Sequence, residues 1–187
     1  HKSVALARRQ QKRGADGLTV ATIKEAETFV AAGIDDVCVA VPVTGRDKHE
    51  RLRSLREEAH LSFLVDTAAG AEQAEAVYPE DDPIDVLMEV DVGHGRCGVP
   101  WDHGEAAIHL ARRITDLRSL RLAGILTHAG QAYDGPASGE TEADALRRAA
   151  QEERDRMLHV AARLAHADVP SVEPGTFEIS VGSTPTM

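Results

Sequence analysis

Apolar residues recur along this chain in two alternating rhythms. Val37 to Val41 and Leu61 to Val65 are short, uninterrupted apolar runs of the kind buried on both faces of a sheet, whereas Arg46 to Ala59 between them carries Leu52, Leu55 and Ala59 at helical spacing beneath many charges. The same alternation extends in both directions. Ser3 is placed to open a helix reaching about Arg13, with Gly14 positioned to end it in a left-handed conformation. Residues 17 to 21 read as a short strand, and Thr22 with Glu25 makes a capping box for a helix that Gly33 terminates. An Ala-rich helix follows around 71 to 77. Ile84 to Val92 is a longer strand running into a glycine-rich loop, and Asp102 with Glu105 reads as the start of a helix bearing Ile108, Ala111 and Leu117. Leu122 to Thr127 is the fifth strand. A polar loop containing Gly130, Gly135, Pro136 and Gly139 precedes the longest helix, about 140 to 165, whose apolar stripe is Leu146, Ala149, Ala150, Leu158, Ala161 and Leu164. Phe177 to Val181 is the sixth strand.

Strands alternating with helices imply a parallel sheet with crossover helices, so the fold class is α/β and the candidates are a (β/α) barrel and an open doubly wound sheet. Six strands suit the open sheet directly. A (β/α)8 barrel of TIM type needs eight strands and about 250 residues, so that reading expects two strands outside this chain. The sequence opens at His1 and stops at Met187 just after Gly-Ser-Thr-Pro-Thr, and both ends look cut. Without a repeat, a low-complexity linker or a shift in composition, residues 1–187 are expected to form one domain.

Composition narrows the partners. Of 187 residues, 31 are acidic and 21 are Lys or Arg, a formal charge of -10, which disfavours a sequence-independent grip on nucleic acid or on an anionic membrane. No apolar run approaches the roughly 20 residues of a membrane helix and no signal-peptide pattern opens the chain, so a cytoplasmic location is expected. The two cysteines, Cys38 and Cys97, lie far apart without Cys/His ligand spacing, and both read as reduced thiols rather than as a disulfide or zinc site.

In either parallel architecture a ligand site lies at the carboxyl ends of the strands. Pro42 follows the second predicted strand, Asp66 the third, Asp91 to Gly98 the fourth, His128 to Tyr133 the fifth and Gly182 to Thr186 the sixth. A glycine followed by hydroxyl residues offers free backbone N–H groups and O–H donors, an arrangement that holds a phosphate without a Walker lysine; a plain polar turn is the alternative. Arg96, among glycines, is placed to reach the rim as a fixed donor to an oxygen anion, or to form a surface ion pair. Tyr133 and His128 can stack on or hydrogen-bond a ring, and His94 offers a further imidazole. Asp66 reads as a helix cap. Cys38 reads as core, and Cys97 beside Arg96 is a thiol whose pKa that neighbour would lower, but with no base evident for it a thiol nucleophile is not expected.

Taken together, His1-Lys2-Ser3, the Thr22 to Glu27 stretch, Asp91 to Gly98, His128 to Tyr133 and Gly182 to Thr186 resemble, in order, the barrel domain of the D-threonine aldolases and D-serine dehydratases, pyridoxal-phosphate enzymes of the alanine-racemase type. The resemblance implies an alanine-racemase-like barrel, incomplete here, a mostly β C-terminal domain beyond it, and a homodimer. It implies that Gly182, Ser183, Thr184 and Thr186 hold the cofactor phosphate, that Arg96 faces the phenolic oxygen, that Tyr133 approaches the pyridine nitrogen, and that His128 and Gln131 line the pocket. His128 and Tyr133 are the candidate catalytic groups. The Gln-Ala-Tyr wording at 131–133 is closer to the aldolases, which cleave β-hydroxy D-amino acids to glycine and an aldehyde; a dehydratase, a racemase and a non-catalytic pyridoxal-phosphate carrier are the alternatives. The family's cofactor-bearing lysine stands two residues before the histidine corresponding to His1, just outside this chain. Lys2, Lys12, Lys24 and Lys48 each fall in or next to a predicted helix. A divalent metal, zinc or manganese, is expected with ligands outside this sequence, and the chain alone is expected to be catalytically incomplete.

Overall fold

The computed structural model describes residues 2–173, 175–183 and 186. Seven strands, β1 (Leu18–Val20), β2 (Asp36–Pro42), β3 (His60–Val65), β4 (Ile84–Asp91), β5 (Val99–Pro100), β6 (Leu120–Leu126) and β7 (Glu178–Ser180), alternate with six helices, α1 (Val4–Gln11), α2 (Ile23–Val30), α3 (Arg46–Leu55), α4 (Ala68–Glu75), α5 (Gly104–Asp116) and α6 (Glu142–His166). All pairings are parallel and the order is β1-β2-β3-β4-β6-β7, with β5 a two-residue addition to β4. The sheet curls into part of an α/β barrel, as expected. The six predicted strands are present. β5 escaped notice because two residues carry no periodicity.

Alternation along each strand builds two apolar layers. On β4, Val86, Met88 and Val90 face the helices and join a large core with Val37, Val39, Phe63, Ile114, Leu122 and Leu164, while Leu87 faces inward with Leu64 and Leu126, flanked by Cys38 and Ala40. β4 is buried along its length down to Asp91, which explains its continuous apolar reading. Cys38 therefore lines the inner face, half buried, rather than the helix-side core.

Helix boundaries follow from caps. Thr22 accepts from the Glu25 N–H, and Glu25 accepts in return from the Ala21 N–H at 2.8 Å. Gly14 ends the first helical segment with φ +98°. Ser3 occupies the N-cap position of α1 without a side-chain bond. α4 begins earlier than its alanines suggest, because Thr67, not Asp66, caps it through the Gly70 N–H. α5 begins at Gly104, two residues after Asp102; Gly104 packs against the Arg163 guanidinium with no room for a β-carbon. Leu158 is 51% exposed, so the apolar stripe of α6 is narrower than its leucines imply.

Because every strand runs the same way, their carboxyl ends share one rim. The opposite end carries an ionic group, in which His60 bridges Asp36 (3.1 Å) and Asp85 (2.9 Å) and Arg121 closes on Asp85. No helix among the described residues is long and apolar enough to cross a membrane.

Candidate cofactor site at the carboxyl rim

At the end of β4 the chain must turn while leaving few backbone N–H groups unpaired, and Asp91 supplies the acceptors. Its Oδ1 receives the N–H groups of Gly93, His94 and Gly95 at 2.9, 2.8 and 3.1 Å, and its Oδ2 receives Gly95 again at 2.9 Å. Asp91 thus shapes the loop that presents Arg96. The Arg96 side chain is half exposed, and its Nη2 approaches Glu89 Oε1 at 3.4 Å. The Cys97 thiol donates to the same oxygen at 3.0 Å. Glu89 itself is 2% exposed, and its Oε2 has no hydrogen-bond partner among the described residues. Glu89 is a site residue that sequence reasoning missed; its one signal was an acidic residue inside an apolar strand.

Cys97 departs from expectation. Burial and the Glu89 carboxylate push its thiol above the usual value and outweigh Arg96, so this is a protonated hydrogen-bond donor and not an activated thiolate. Burial likewise raises Cys38, to about 11.

The end of β6 supplies the aromatic wall. A single 3-10 turn, Gly130–Tyr133, folds Tyr133 back over His128 with ring centroids 6.2 Å apart, and His94 meets His128 edge-on at the same separation. Gly130 lies directly against the His94 ring, where a β-carbon has no space. Gln131 ties this turn to the previous loop by donating from Nε2 to the Val92 carbonyl at 3.3 Å; its buried Oε1 has no partner among the described residues. Burial first, then the Arg96 charge, lower the pKa of His128, so its imidazole is neutral near pH 7.

The end of β7 supplies the hydroxyls. Gly182 takes φ +136°, open to glycine and strained for other residues, and donates its N–H to Glu153 of α6 at 2.9 Å. Ser183, 5% exposed, points its hydroxyl at the Ala129 carbonyl (3.4 Å) and at Thr186 Oγ1 (3.1 Å), while its N–H donates to Thr186 Oγ1 at 3.1 Å. Thr184 lies outside the described residues.

These segments converge. His128, Tyr133, Gly182 and Ser183 line a hollow of about 550 Å3 whose other wall is β1 with Lys2 and Glu25, and Arg96 lies close enough to His128 to perturb its titration. Lys2, expected only as a helix-flanking residue, reaches this hollow and pairs with Glu25 at 2.6 Å. Arg96, Gln131 and Thr186, expected at the cofactor, are not among the lining residues, and neither are Asp66 and Cys38. The Ser183 hydroxyl, the Tyr133 ring, the neutral His128 imidazole and the Lys2–Glu25 pair thus face one cavity of a size that admits a small polar aromatic ligand. Among the described residues, no three His, Cys, Asp or Glu side chains are grouped to hold a metal ion.

Comparison with known proteins agrees with this architecture. D-threo-3-hydroxyaspartate dehydratase from Delftia sp. (strain HT23) is 36% identical over 188 residues, which is 99% of this chain and 46% of that protein. Its solved structure superposes with a TM-score of 0.84. D-threonine aldolase from Arthrobacter sp is 38% identical over 156 residues, covering 81% of this chain and 39% of the relative. The crystal structure of D-threonine aldolase from Filomicrobium marinum, 27% identical, matches with a TM-score of 0.77 over 100% of this chain and 53% of that one. The chain thus spans about half the length of these relatives. Since the model of the alanine racemase N-terminal domain matches residues 1–176, nearly the whole sequence, this chain belongs to the alanine racemase N-terminal domain family.

Proposed function

We propose that this chain is the cofactor-binding part of a pyridoxal-phosphate-dependent lyase acting on β-hydroxy D-amino acids, with retro-aldol cleavage to glycine and an aldehyde as its reaction. The observation that carries the reading is the convergence of His128 and Tyr133 from the end of β6 with Gly182 and Ser183 from the end of β7 around one hollow, with Arg96 outside its lining but near enough to His128 for its charge to be felt. When bound, pyridoxal phosphate supplies an electron sink for a bond broken at the substrate Cα. In this reading Gly182 shapes the turn and the hydroxyls of Ser183, Thr184 and Thr186 hold the phosphate; the free backbone donors expected from the sequence are not free, because the Gly182 and Ser183 N–H groups go to Glu153 and Thr186. Arg96 faces the phenolic oxygen as a charge-assisted donor, aligned by Glu89. Tyr133 approaches the pyridine nitrogen, and Gln131 braces the wall behind it. His128, kept neutral by burial and Arg96, is able to accept a proton at a ring nitrogen. The metal expected of such lyases, zinc or manganese, finds no ligand group among the described residues, and no role in this chain is assigned to it. The substrate is a small D-amino acid, and the full-length protein acts as a homodimer.

The 36% identity to the Delftia dehydratase over 99% of the chain favours a second reading, in which the same site serves elimination of the β-hydroxyl. Incubating full-length protein with D-threonine and with D-serine separates the two. Aldehyde plus glycine marks the aldolase, keto acid marks the dehydratase, and no turnover of any β-hydroxy D-amino acid, D-3-hydroxyaspartate included, defeats both. Visible absorbance lost on borohydride addition tests cofactor attachment independently.

A further inference from the structure

Helix α6 supplies no lining residue to the hollow, yet it touches the Gly182 loop that lines it and the Asp91–Gly98 loop that carries Arg96 beside it. Glu153 and Arg156 lie three residues apart and so on one face of the helix. Glu153 is 3% exposed and accepts the Gly182 N–H at 2.9 Å, at the start of the hydroxyl loop. Arg156 donates from Nη1 to the Val92 carbonyl at 2.6 Å, at the start of the Arg96 loop, the same Nη1 lies 3.1 Å from Glu152, and the guanidinium lies 5.1 Å from the centroid of the Trp101 ring. Burying a carboxylate costs several kcal/mol unless it is compensated, and among the described residues the hydrogen bond Glu153 receives comes from a single backbone amide. Such a group is an expensive way to stabilise a helix and an effective way to fix one peptide plane.

We propose that Glu153 and Arg156 are positioning residues that set the spacing between the phosphate-holding loop and the Arg96 loop, so that one rigid helix gauges the length of the cofactor from phosphate to phenolic oxygen. The proposal rests on the pyridoxal-phosphate reading above. Glu153 acts through Gly182 on the phosphate end, and Arg156 acts through Val92 on the Arg96 end. The two ends are therefore separable by ligand chemistry.

The test compares binding of pyridoxal phosphate and of pyridoxal, which lacks the phosphate, to full-length protein by visible absorbance titration. Glu153→Ala is expected to weaken pyridoxal phosphate roughly tenfold to a hundredfold, the worth of one hydrogen bond to a charged group, and to leave pyridoxal within about twofold. Glu153→Gln keeps an acceptor for the Gly182 N–H and is expected to stay within about threefold of wild type. Arg156→Ala is expected to weaken both ligands alike and to shift the absorbance maximum of the bound ring, with Arg156→Lys restoring part of the loss. Should the alanine variant not fold, Glu153→Asp, which withdraws the carboxylate by one methylene, is expected to show the same phosphate-selective loss in smaller measure. Wild-type affinity in Glu153→Ala, or equal losses for the two ligands in the Glu153 variants, overturns the proposal. Failure of the wild-type protein to bind pyridoxal phosphate instead overturns the functional reading beneath it.

Discussion

The ionic group at the amino-terminal end of the barrel makes a pH prediction that separates stability from function. His60 offers Nδ1 to Asp36 and Nε2 to Asp85, so both ring nitrogens face carboxylate oxygens and both must donate. Partial burial opposes the charge, but the hydrogen bonds to Asp36 and Asp85 outweigh it, and the His60 pKa rises above its ordinary value of 6.5. A raised folded pKa contributes stability that is complete below the unfolded value and disappears as pH climbs through the folded one. Asp85 behaves in the opposite sense. Burial disfavours its charge, Arg121 and His60 more than compensate, and its pKa falls below 3.8, so its contribution is complete above that value and is lost only on further acidification. The group as a whole is therefore strongest between about pH 4 and pH 6. The His60 side chain is 56% exposed, so each bridge is discounted for solvent and both together are worth about 1 kcal/mol. His60→Gln in the full-length protein measures this. Urea unfolding at pH 5.5 should show the variant about 1 kcal/mol less stable than wild type, and by pH 9 the gap should close to a few tenths. Raising the salt to 1 M shortens the screening length to about 3 Å and should shrink the gap at pH 5.5. A gap that stays constant across this range, or widens with pH, refutes the doubly bonded imidazolium.

Further outcomes follow from the rim and the core. Arg96→Ala in the full-length enzyme should mainly impair turnover, through loss of a charge-assisted hydrogen bond worth about 1.5 to 3 kcal/mol, and a wild-type rate removes Arg96 from the site. Ser183→Ala combined with Thr186→Ala should speed loss of cofactor on dialysis, and unchanged retention contradicts the phosphate role. Cys97, a thiol with a raised pKa, should react slowly with iodoacetamide at pH 7.5, and Glu89→Gln should accelerate it; equal rates in the two proteins contradict the Glu89–Cys97 bond. Ile114→Ala, at a fully buried position of α5, should cost about 2 to 5 kcal/mol of unfolding free energy, and a loss below 1 kcal/mol means the helix-side core is not packed as described.

What could be seen in the sequence and what could not divides along the direction of the interactions. The strands were legible because β3 and β4 are buried on both faces, which leaves uninterrupted apolar runs, because β2 is apolar from Val37 onward although only Val37 and Val39 are fully buried, and because Thr22 with Glu25 signals a helix start through neighbours three residues apart. The rim was legible for a related reason. In an all-parallel sheet the polar residues just after each strand must gather at one end, so linear order alone brings Arg96, His128, Tyr133 and Ser183 into one neighbourhood without knowledge of any contact. Nothing local marks the groups that hold those residues in place. Asp91 carries no signal of its own, because a carboxylate that receives three backbone N–H groups looks the same in sequence as a solvated one. Glu89 and Glu153 look like ordinary acidic residues, and they become informative only when tertiary structure removes them from water and leaves them facing Arg96 and Gly182. The pKa expected of Cys97 went astray on the same account, although the expectation that it is no nucleophile holds. Its sequence neighbour Arg96 argues for a thiolate, while the partner that decides its state, Glu89, is eight residues away and across the turn. In this fold the residues that face a ligand are set by where strands end, whereas the residues that orient them are set by which helix packs behind the strand, and only the first of these is written in the order of the chain.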